Sequence, residues 1–327
     1  MDHNSRVRAA LRHEAIDRVP YSLWRHYHRQ DRTPQGLAAA TLELARTYDL
    51  DLVKLTPSGL YAVEVWAGGH IVYPGTDHEA PYLSAPAVIR PEEWRQLRPL
   101  DPHAGALARE LEAIGLVAAG LAGSRPLLMT IFSPLTLAYK LAGERIVEHL
   151  RQHPAAVHAA LEIVADTTAR FARAALEAGA DGVFFATQLA SHRRLTATEY
   201  GEFGARYDME VLSEVEPFSA LTVLHLHGRD VFFELANEYP IQAVSWHDRE
   251  TAPDLATARG LTDRAFLTGL DRDLLGRGPA IAIAAQAREA LGQTKGRGLI
   301  LAPSCVIPTT APPAHLRAAR DAILANG

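Results

Sequence analysis

Short apolar runs alternate with longer amphipathic stretches along the whole chain. The runs are rich in β-branched and aromatic residues, and they are bounded by turn-forming residues, a pattern typical of buried strands. We predict eight strands from them, at residues 19–24, 52–55, 126–132, 181–186, 221–226, 243–246, 265–269 and 298–302.

The stretches between these runs carry apolar residues at helical spacing. We predict eight helices, at residues 33–48, 104–121, 154–178, 196–215, 231–238, 252–259, 279–292 and 312–325. Thr196 with Glu199 three positions later has the pattern of a capping box, and Gly179 is placed to end the preceding helix. Strands that alternate with helices in this way predict an α/β fold, specifically a (β/α)8 TIM barrel.

Residues 61–86 interrupt the alternation, because they are rich in Gly, Pro and aromatic residues and fit no helix. We predict an irregular or hairpin insertion after the second strand, lying over the mouth of the barrel. The sequence has no low-complexity segment, fixed-period repeat or linker, so we expect residues 1–327 to form a single domain.

Composition narrows the class of protein. The formal charge of −5 comes without a basic run, so we expect no nucleic-acid partner. The start of the chain lacks an apolar signal core and no apolar stretch is long enough to span a bilayer, so we expect no membrane association and a cytoplasmic location. A single cysteine excludes an internal disulfide framework.

The strongest chemical signal is a pair of histidines two positions apart, His225 and His227, followed later by the only cysteine, Cys305. Residues i and i+2 of a strand point to one face, so both rings can reach the same ion. If Cys305 ends a neighbouring strand, two imidazoles and one thiolate form the ligand set of an open catalytic zinc site. For either histidine alone, the alternative is a hydrogen-bonded side chain at a strand end.

The active site of a TIM barrel lies where strands end, so polar residues at those ends are further candidates. His26, Lys54 and His247 are at such positions but suggest no definite role. Gln188 follows the fourth predicted strand, where its amide would orient a substrate, unless it only shapes the loop. Arg25 follows the first, where a guanidinium would clamp a carboxylate or phosphate.

Three residues are candidates in or near the presumed mouth. Glu64 would serve as a fourth metal ligand or a catalytic proton acceptor, or else as a rim carboxylate paired with an arginine. Trp66 and Tyr139 would line an apolar substrate pocket, although aromatic residues at such positions also serve simply as packing.

The sequence resembles the uroporphyrinogen decarboxylase superfamily, which also contains zinc-dependent methyltransferases of corrinoid and cobalamin pathways. The resemblance covers essentially the whole chain and is carried by residues 8–11, 17–20, 133–139, 269–271 and 302–313. It implies the same TIM-barrel fold.

Particular positions distinguish the two branches of this superfamily. The decarboxylases use two arginines near the first strand and an aspartate after the second, without a metal. Arg25 and Arg29 have the matching spacing, but residues 54–59 offer no carboxylate. The methyltransferases hold zinc with a His-x-Cys pair and a distant Cys; His225 and Cys305 match this pattern, whereas His227 stands where the first cysteine is usual.

The change from cysteine to histidine alters the charge of the site. One thiolate and two imidazoles leave Zn²⁺ with a net charge of +1, whereas two thiolates and one imidazole leave it formally neutral. Such a zinc still lowers the pKa of a bound thiol, but it holds the resulting thiolate more tightly.

The resemblance and the candidate ligands together favour a zinc-dependent methyltransferase. The methyl group would move between a small methylated donor or a methylcorrinoid protein and a thiol or similar acceptor, with Zn²⁺ as the cofactor and the corrinoid carried by a partner protein. A metal-independent decarboxylase or lyase acting on a carboxylated, tetrapyrrole-like substrate is the first alternative, and a non-catalytic corrinoid- or tetrapyrrole-binding barrel is the second. The partners expected are a small-molecule substrate, a corrinoid protein and a second copy of the chain in a homodimer.

Overall fold

The protein is built around a curled, seven-stranded parallel sheet in the order β1-β4-β5-β6-β7-β8-β9. The computed structural model describes residues 1–325, so the last two residues of the predicted domain, Asn326 and Gly327, lie outside the described residues. The strands are β1 Val53–Leu55, β2 Ile71–Val72, β3 Tyr82–Leu83, β4 Leu127–Phe132, β5 Gly182–Thr187, β6 Leu221–Leu226, β7 Ala243–Trp246, β8 Ala265–Leu270 and β9 Leu299–Pro303. The predicted α/β barrel class is confirmed.

The first predicted strand, residues 19–24, differs from the prediction because it forms only an isolated bridge, between Tyr21 and Leu301. It nevertheless lies between the two edge strands of the sheet. Ser22 N donates to Leu301 O in β9 (3.0 Å), and the Ser22 hydroxyl donates to Leu52 O just before β1 (2.8 Å). The Ser22 side chain thus takes the place of part of the backbone hydrogen bonding that a regular strand would make to the β1 side. With bonds to both edges of the sheet, segment 19–24 occupies the eighth position around the barrel.

The helices surround this sheet, as expected when parallel strands are buried on both faces. They are α1 His3–Leu11, α2 Pro34–Thr47, α3 Gly105–Leu121, α4 Pro134–Ala142, α5 Arg145–Gln152, α6 Pro154–Glu177, α7 Ala197–Tyr200, α8 Arg206–Val215, α9 Leu235–Glu238, α10 Leu255–Ala258, α11 Arg272–Arg277, α12 Ala280–Thr294 and α13 Pro313–Leu324. The predicted capping box is present at α7, where the Thr196 side chain accepts from Glu199 N at 3.1 Å.

Two predicted helices are much shorter than expected. Residues 231–238 contain only α9, because Phe232 N instead donates to Ala190 O (3.0 Å) beside an antiparallel bridge at Val231. Residues 252–259 contain only α10, which begins after Asp254, whose side chain accepts from Thr257 N (2.8 Å). Conversely, α4 and α5 were not predicted, although Ser133 at the N-cap of α4 and Pro134 at its first position are helix-start signals.

The predicted insertion after the second strand is present in residues 61–86. It contains a short 3₁₀ turn and the antiparallel hairpin of β2 and β3, in which Ile71 pairs with Leu83. The loop between these strands reaches the mouth, since His78 Nδ1 lies 3.0 Å from the Thr309 hydroxyl in the loop after β9. None of the helices in residues 1–325 combines the length and apolar character needed to cross a membrane.

Candidate metal site and cavity

Four side chains with metal-binding atoms converge at the carboxyl ends of β6, β7 and β9. His225 is in β6 and His227 follows it, His247 comes directly after β7, and Cys305 lies just beyond β9. One ligand atom from each of the four lies within 4.8 Å of the others. The predicted triad of His225, His227 and Cys305 is therefore brought together, and His247 joins it.

Strand register explains this convergence. In the parallel pair of β6 and β7, His225 lies opposite Ser245 and Leu226 lies opposite Trp246, so the residues that follow the two strands emerge side by side. The ring centroids of His227 and His247 are 4.8 Å apart. Gly228 then turns the chain away with a φ of 97°, a conformation that residues with a Cβ rarely adopt.

His225 is oriented by a neighbouring hydroxyl. Its Nδ1 lies 3.0 Å from Ser245 Oγ, and its ring stacks on Phe184 at a centroid distance of 5.0 Å. When Nδ1–H donates to the hydroxyl, the lone pair of Nε2 is free for a metal ion. A hydrogen bond of this kind to the second ring nitrogen is usual for metal-binding histidines.

His247 has the clearest mark of a missing partner. Its side chain is 2% exposed, and neither ring nitrogen makes a hydrogen bond in residues 1–325. Nδ1 is 3.3 Å from Glu250 Oε1, but the geometry is not that of a hydrogen bond. Buried polar atoms are rarely left unpaired, so a ligand for His247 is expected.

Cys305 completes the cluster from a loop that is fixed at both ends. Ser304 N donates to Leu270 O of β8 (2.7 Å), and Ile307 N donates to Trp24 O (3.1 Å). Cys305 Sγ lies 3.6 Å from His227 Nδ1. The thiol is thereby held beside the imidazoles rather than packed as an isolated apolar group.

The electrostatic environment keeps all four groups uncharged before a metal binds. Burial lowers the pKa of His225 well below its usual value, lowers that of His227 to about 3, and lowers that of His247 to about 4. Burial also raises the pKa of the Cys305 thiol. Neutral imidazoles are the form that binds metal, so the three histidines are ready to act as ligands.

Donor chemistry fits a zinc ion. Three imidazole nitrogens and one sulfur are ligands that zinc accepts in tetrahedral sites, and the buried, unpaired nitrogens of His247 are explained by such an ion. His247 is thus a candidate for the fourth position that the sequence left open. It could have been recognised from its place directly after the strand next to β6.

Three members of the cluster, His225, His227 and Cys305, form part of the wall of a cavity of about 630 Å³ at the mouth of the barrel, and His247 does not line it. Aromatic rings from three elements form much of its apolar surface, namely Trp24, Phe132 and Phe184. Its size and mostly apolar lining are those of a pocket for a small organic ligand.

Two lysines contribute to this lining, and neither was assigned a role from the sequence. Lys54 Nζ lies 4.4 Å from the ring centre of Phe184 and 3.1 Å from the Thr56 hydroxyl. Lys140 Nζ lies 4.2 Å from the ring centre of Phe132. Burial lowers the pKa of Lys54 to about 7 and that of Lys140 to about 8.

Of the other predicted site residues, Gln188 lines the cavity. Its backbone N–H donates to the Thr136 hydroxyl (2.8 Å) just after the end of β5. This bond holds the backbone of Gln188 at the edge of the cavity. The amide is therefore placed where a substrate would be.

Arg25, Tyr139 and Trp66 do not belong to the cavity lining. Arg25 lies over the ring of Tyr27, with its Cζ 5.1 Å from the ring centre. The Tyr139 hydroxyl donates to Glu144 Oε1 (2.9 Å), and Trp66 Nε1 donates to Arg98 O (2.9 Å). Local partners occupy the polar groups of both aromatic residues, so the structure gives them packing positions.

Glu64 also lies away from the metal cluster. Arg109 donates to both of its carboxylate oxygens, at 3.2 and 2.9 Å, and Arg109 also bonds to Glu110. The ion pair satisfies the carboxylate, so Glu64 corresponds to the rim carboxylate of the second interpretation. With both oxygens bonded to Arg109, Glu64 is not placed to act as a ligand or proton acceptor.

Comparison with known proteins relates the chain to two kinds of enzyme. The methylcobamide:CoM methyltransferase MtbA of Methanosarcina acetivorans is 23% identical over 229 residues, which are 69% of this chain and 66% of that protein, just under two thirds of its length. The uroporphyrinogen decarboxylase of an Azoarcus species is 29% identical over 275 residues, 80% of this chain and 73% of that protein.

Among solved structures, a methyltransferase from Methanosarcina mazei has the same fold, with a TM-score of 0.81, 22% identity and coverage of 98% of both chains. The family model described as uroporphyrinogen decarboxylase (URO-D) matches residues 2–325. This protein therefore belongs to the uroporphyrinogen decarboxylase family.

Proposed function

We propose that this protein is a zinc-dependent methyltransferase that moves a methyl group between a small methylated donor or a methylcorrinoid protein and an acceptor thiol. His225, His227 and Cys305 would hold the metal, and His247 would occupy the fourth position until the acceptor thiol takes it. The observation that carries the proposal is the convergence of these four donors within 4.8 Å, with His225, His227 and Cys305 lining a ligand-sized cavity. The similarity to MtbA, which is named as a methylcobamide:CoM methyltransferase, supports the same reaction class.

Bound at this site, zinc would lower the pKa of an acceptor thiol and so supply a nucleophile near neutral pH. In the transfer, the acceptor sulfur gains the methyl group, the bond between the methyl carbon and the donor breaks with its electron pair staying on the donor, and the thiol proton is released. The chain positions these reactants: Ser245 orients His225, and Gln188 offers an amide to the substrate.

The charge of the site favours an acceptor that is itself anionic after deprotonation. Three neutral imidazoles and one thiolate leave a net charge of +1 on the site, which stabilises a thiolate electrostatically. The same charge makes the thiolate less reactive than it would be beside two cysteines. We therefore expect slower methyl transfer than in a variant with a second sulfur ligand, such as His227→Cys.

The experiment joins metal analysis to a transfer assay. The purified protein should contain about one zinc per chain, and it should demethylate methylcobalamin in the presence of 2-mercaptoethanol, followed by the change in cobalamin absorbance. Cys305→Ala and His227→Ala should lose metal and activity together. His103→Ala, which changes an exposed histidine outside the cavity, is the matched control.

Each alternative function has its own result in this experiment. Metal far below one per chain, or unchanged in Cys305→Ala, would contradict the zinc site. Carbon dioxide release from a carboxylated tetrapyrrole that survives exhaustive chelation would instead indicate a decarboxylase. A spectral shift on adding a corrinoid, with no turnover in any thiol, would indicate a binding protein.

A further inference from the structure

Two of the three lysines in this chain lie in its cavity, although the chain contains 33 lysines and arginines in total. Lys54 and Lys140 line the cavity, whereas Lys295 is exposed at the end of α12. Lysines usually extend into solvent and are rarely buried unless they are paired. Their concentration at the cavity therefore needs an explanation.

Neither cavity lysine has a counter-ion in residues 1–325. The Lys54 ammonium bonds only to the Thr56 hydroxyl, and its side chain is 5% exposed. The Lys140 ammonium has no hydrogen-bond acceptor and contacts the face of Phe132. The only carboxylate in the cavity lining is Asp273, whose side chain is 55% exposed and lies 3.4 Å from Arg277.

A histidine in the lining of the same cavity also lacks a partner for one ring nitrogen. His26 lines the cavity, and its Nδ1 is buried without a hydrogen-bond partner. Burial, together with the charges of Lys54 and Lys140, lowers the pKa of His26 to about 3, so the ring is neutral. Two ammoniums without a counter-ion and one ring nitrogen without a hydrogen-bond partner therefore line the same cavity.

We propose that Lys54 and Lys140 form an anion-binding subsite, and that the organic substrate of the cavity carries a carboxylate, sulfonate or phosphate group on an apolar body. Buried cations without partners are costly, and an anion that supplies the missing charge repays this cost. The apolar body follows from the rings of Trp24, Phe132 and Phe184. A volume of about 630 Å³ exceeds the need of a small inorganic anion and suits a drug-sized molecule.

The subsite is also close enough to the metal cluster to serve the same substrate. The Phe184 ring lies between them, because its centre is 4.4 Å from Lys54 Nζ and 5.0 Å from the centre of the His225 ring. Lys140 lines the same cavity as His225 and His227. An anionic group held by the lysines would leave the rest of the molecule facing the four donors. This part of the inference rests on the proposed function, whereas the subsite itself does not depend on a metal.

The test compares two ligands of nearly the same shape and different charge. Binding of 2-naphthoate and 2-naphthamide is measured by calorimetry near pH 6.5, where both lysines are mostly protonated. The naphthoate should bind at least about tenfold more tightly, because only it carries the anion. Naphthalene-2-sulfonate and 2-naphthyl phosphate show which anionic group is preferred.

Lys54→Met and Lys140→Met should each weaken naphthoate binding by about tenfold or more, and they should leave naphthamide binding nearly unchanged. Lys295→Met is the matched control, and it should bind both ligands as the original chain does. Thermal unfolding of each variant checks that the cavity is still folded.

Equal affinity for the acid and the amide, or naphthoate binding that neither cavity lysine affects, would overturn the proposal. Naphthoate binding that disappears on chelation and persists in both lysine variants would place the anion on the metal instead, and would also overturn it. Zinc content is measured in parallel, so an empty metal site would contradict the proposed function without affecting the subsite.

Discussion

Metal binding at this site should release about one proton per zinc ion near pH 7. The perturbation is the addition of zinc to protein from which metal has been removed. The pKa values of His227 and His247 are about 3 and about 4, and that of His225 is also lowered, so the three rings are already neutral and release nothing. The Cys305 thiol, with its pKa raised by burial, is protonated and must lose its proton to become a ligand.

The same argument fixes how the affinity depends on pH. Because one proton leaves, apparent zinc affinity should rise about tenfold for each pH unit up to the thiol pKa, which is about 1.4 kcal/mol per unit. Below about pH 4 the slope should become steeper, because His247 begins to take up a proton in the metal-free protein.

Calorimetry in buffers with different ionisation enthalpies measures the number of protons directly. Cys305→Ser should bind zinc more weakly and release almost no proton, which makes it the matched control. A release near zero in the unmodified protein would mean that Cys305 is not a ligand. A release of two or more would mean that the histidines are charged before the metal arrives, contrary to their burial.

Three further changes test separate parts of the structure. Ser245→Ala should weaken zinc binding by about 10- to 100-fold in a chelator competition, because His225 loses the hydroxyl that orients it; unchanged affinity would exclude that role. Glu64→Gln should leave zinc content unchanged and lower the free energy of unfolding by about 1 kcal/mol or less, since only the pair with Arg109 is lost; metal loss would return Glu64 to the site. Lys54→Met should raise the free energy of unfolding near pH 6 by on the order of 3–5 kcal/mol, because it removes a buried charge. Between about pH 7 and 10.5, the unfolded chain binds more protons at Lys54 than the folded chain does, so the original protein gains stability as pH rises. The difference in unfolding free energy between the variant and the original protein, measured by denaturant melts, should therefore shrink over this range. A difference that stays constant would contradict the reasoning.

Most of the barrel could be predicted because its strands are buried on both faces and therefore appear as unbroken apolar runs. Segment 19–24 was the exception. It has the same apolar pattern, but the Ser22 side chain bonds to Leu52 O where a backbone ladder would otherwise form. The pattern of apolar residues indicates which segments are buried, but it does not indicate whether backbone or side-chain groups make their hydrogen bonds.

Site residues could be predicted where their spacing along one strand determines their geometry. They were missed where the geometry depends on residues that are distant in the sequence. His225 and His227 share a strand, so their common direction followed from the two-residue period. The pair of Glu64 and Arg109 joins residues 45 positions apart, and no local pattern indicates it. His247 required the register of β6 against β7, which becomes evident only when neighbouring strands are placed side by side.

The scarcity of lysine has a consequence for covalent chemistry. Reagents that acylate or alkylate amines attack only the unprotonated form, and burial gives Lys54 and Lys140 pKa values of about 7 and about 8. Exposed lysines ordinarily stay protonated until about pH 10. A small electrophile able to enter the barrel should therefore modify lysines inside the mouth before it modifies the one on the outer surface, and an anionic substrate in place would shield them.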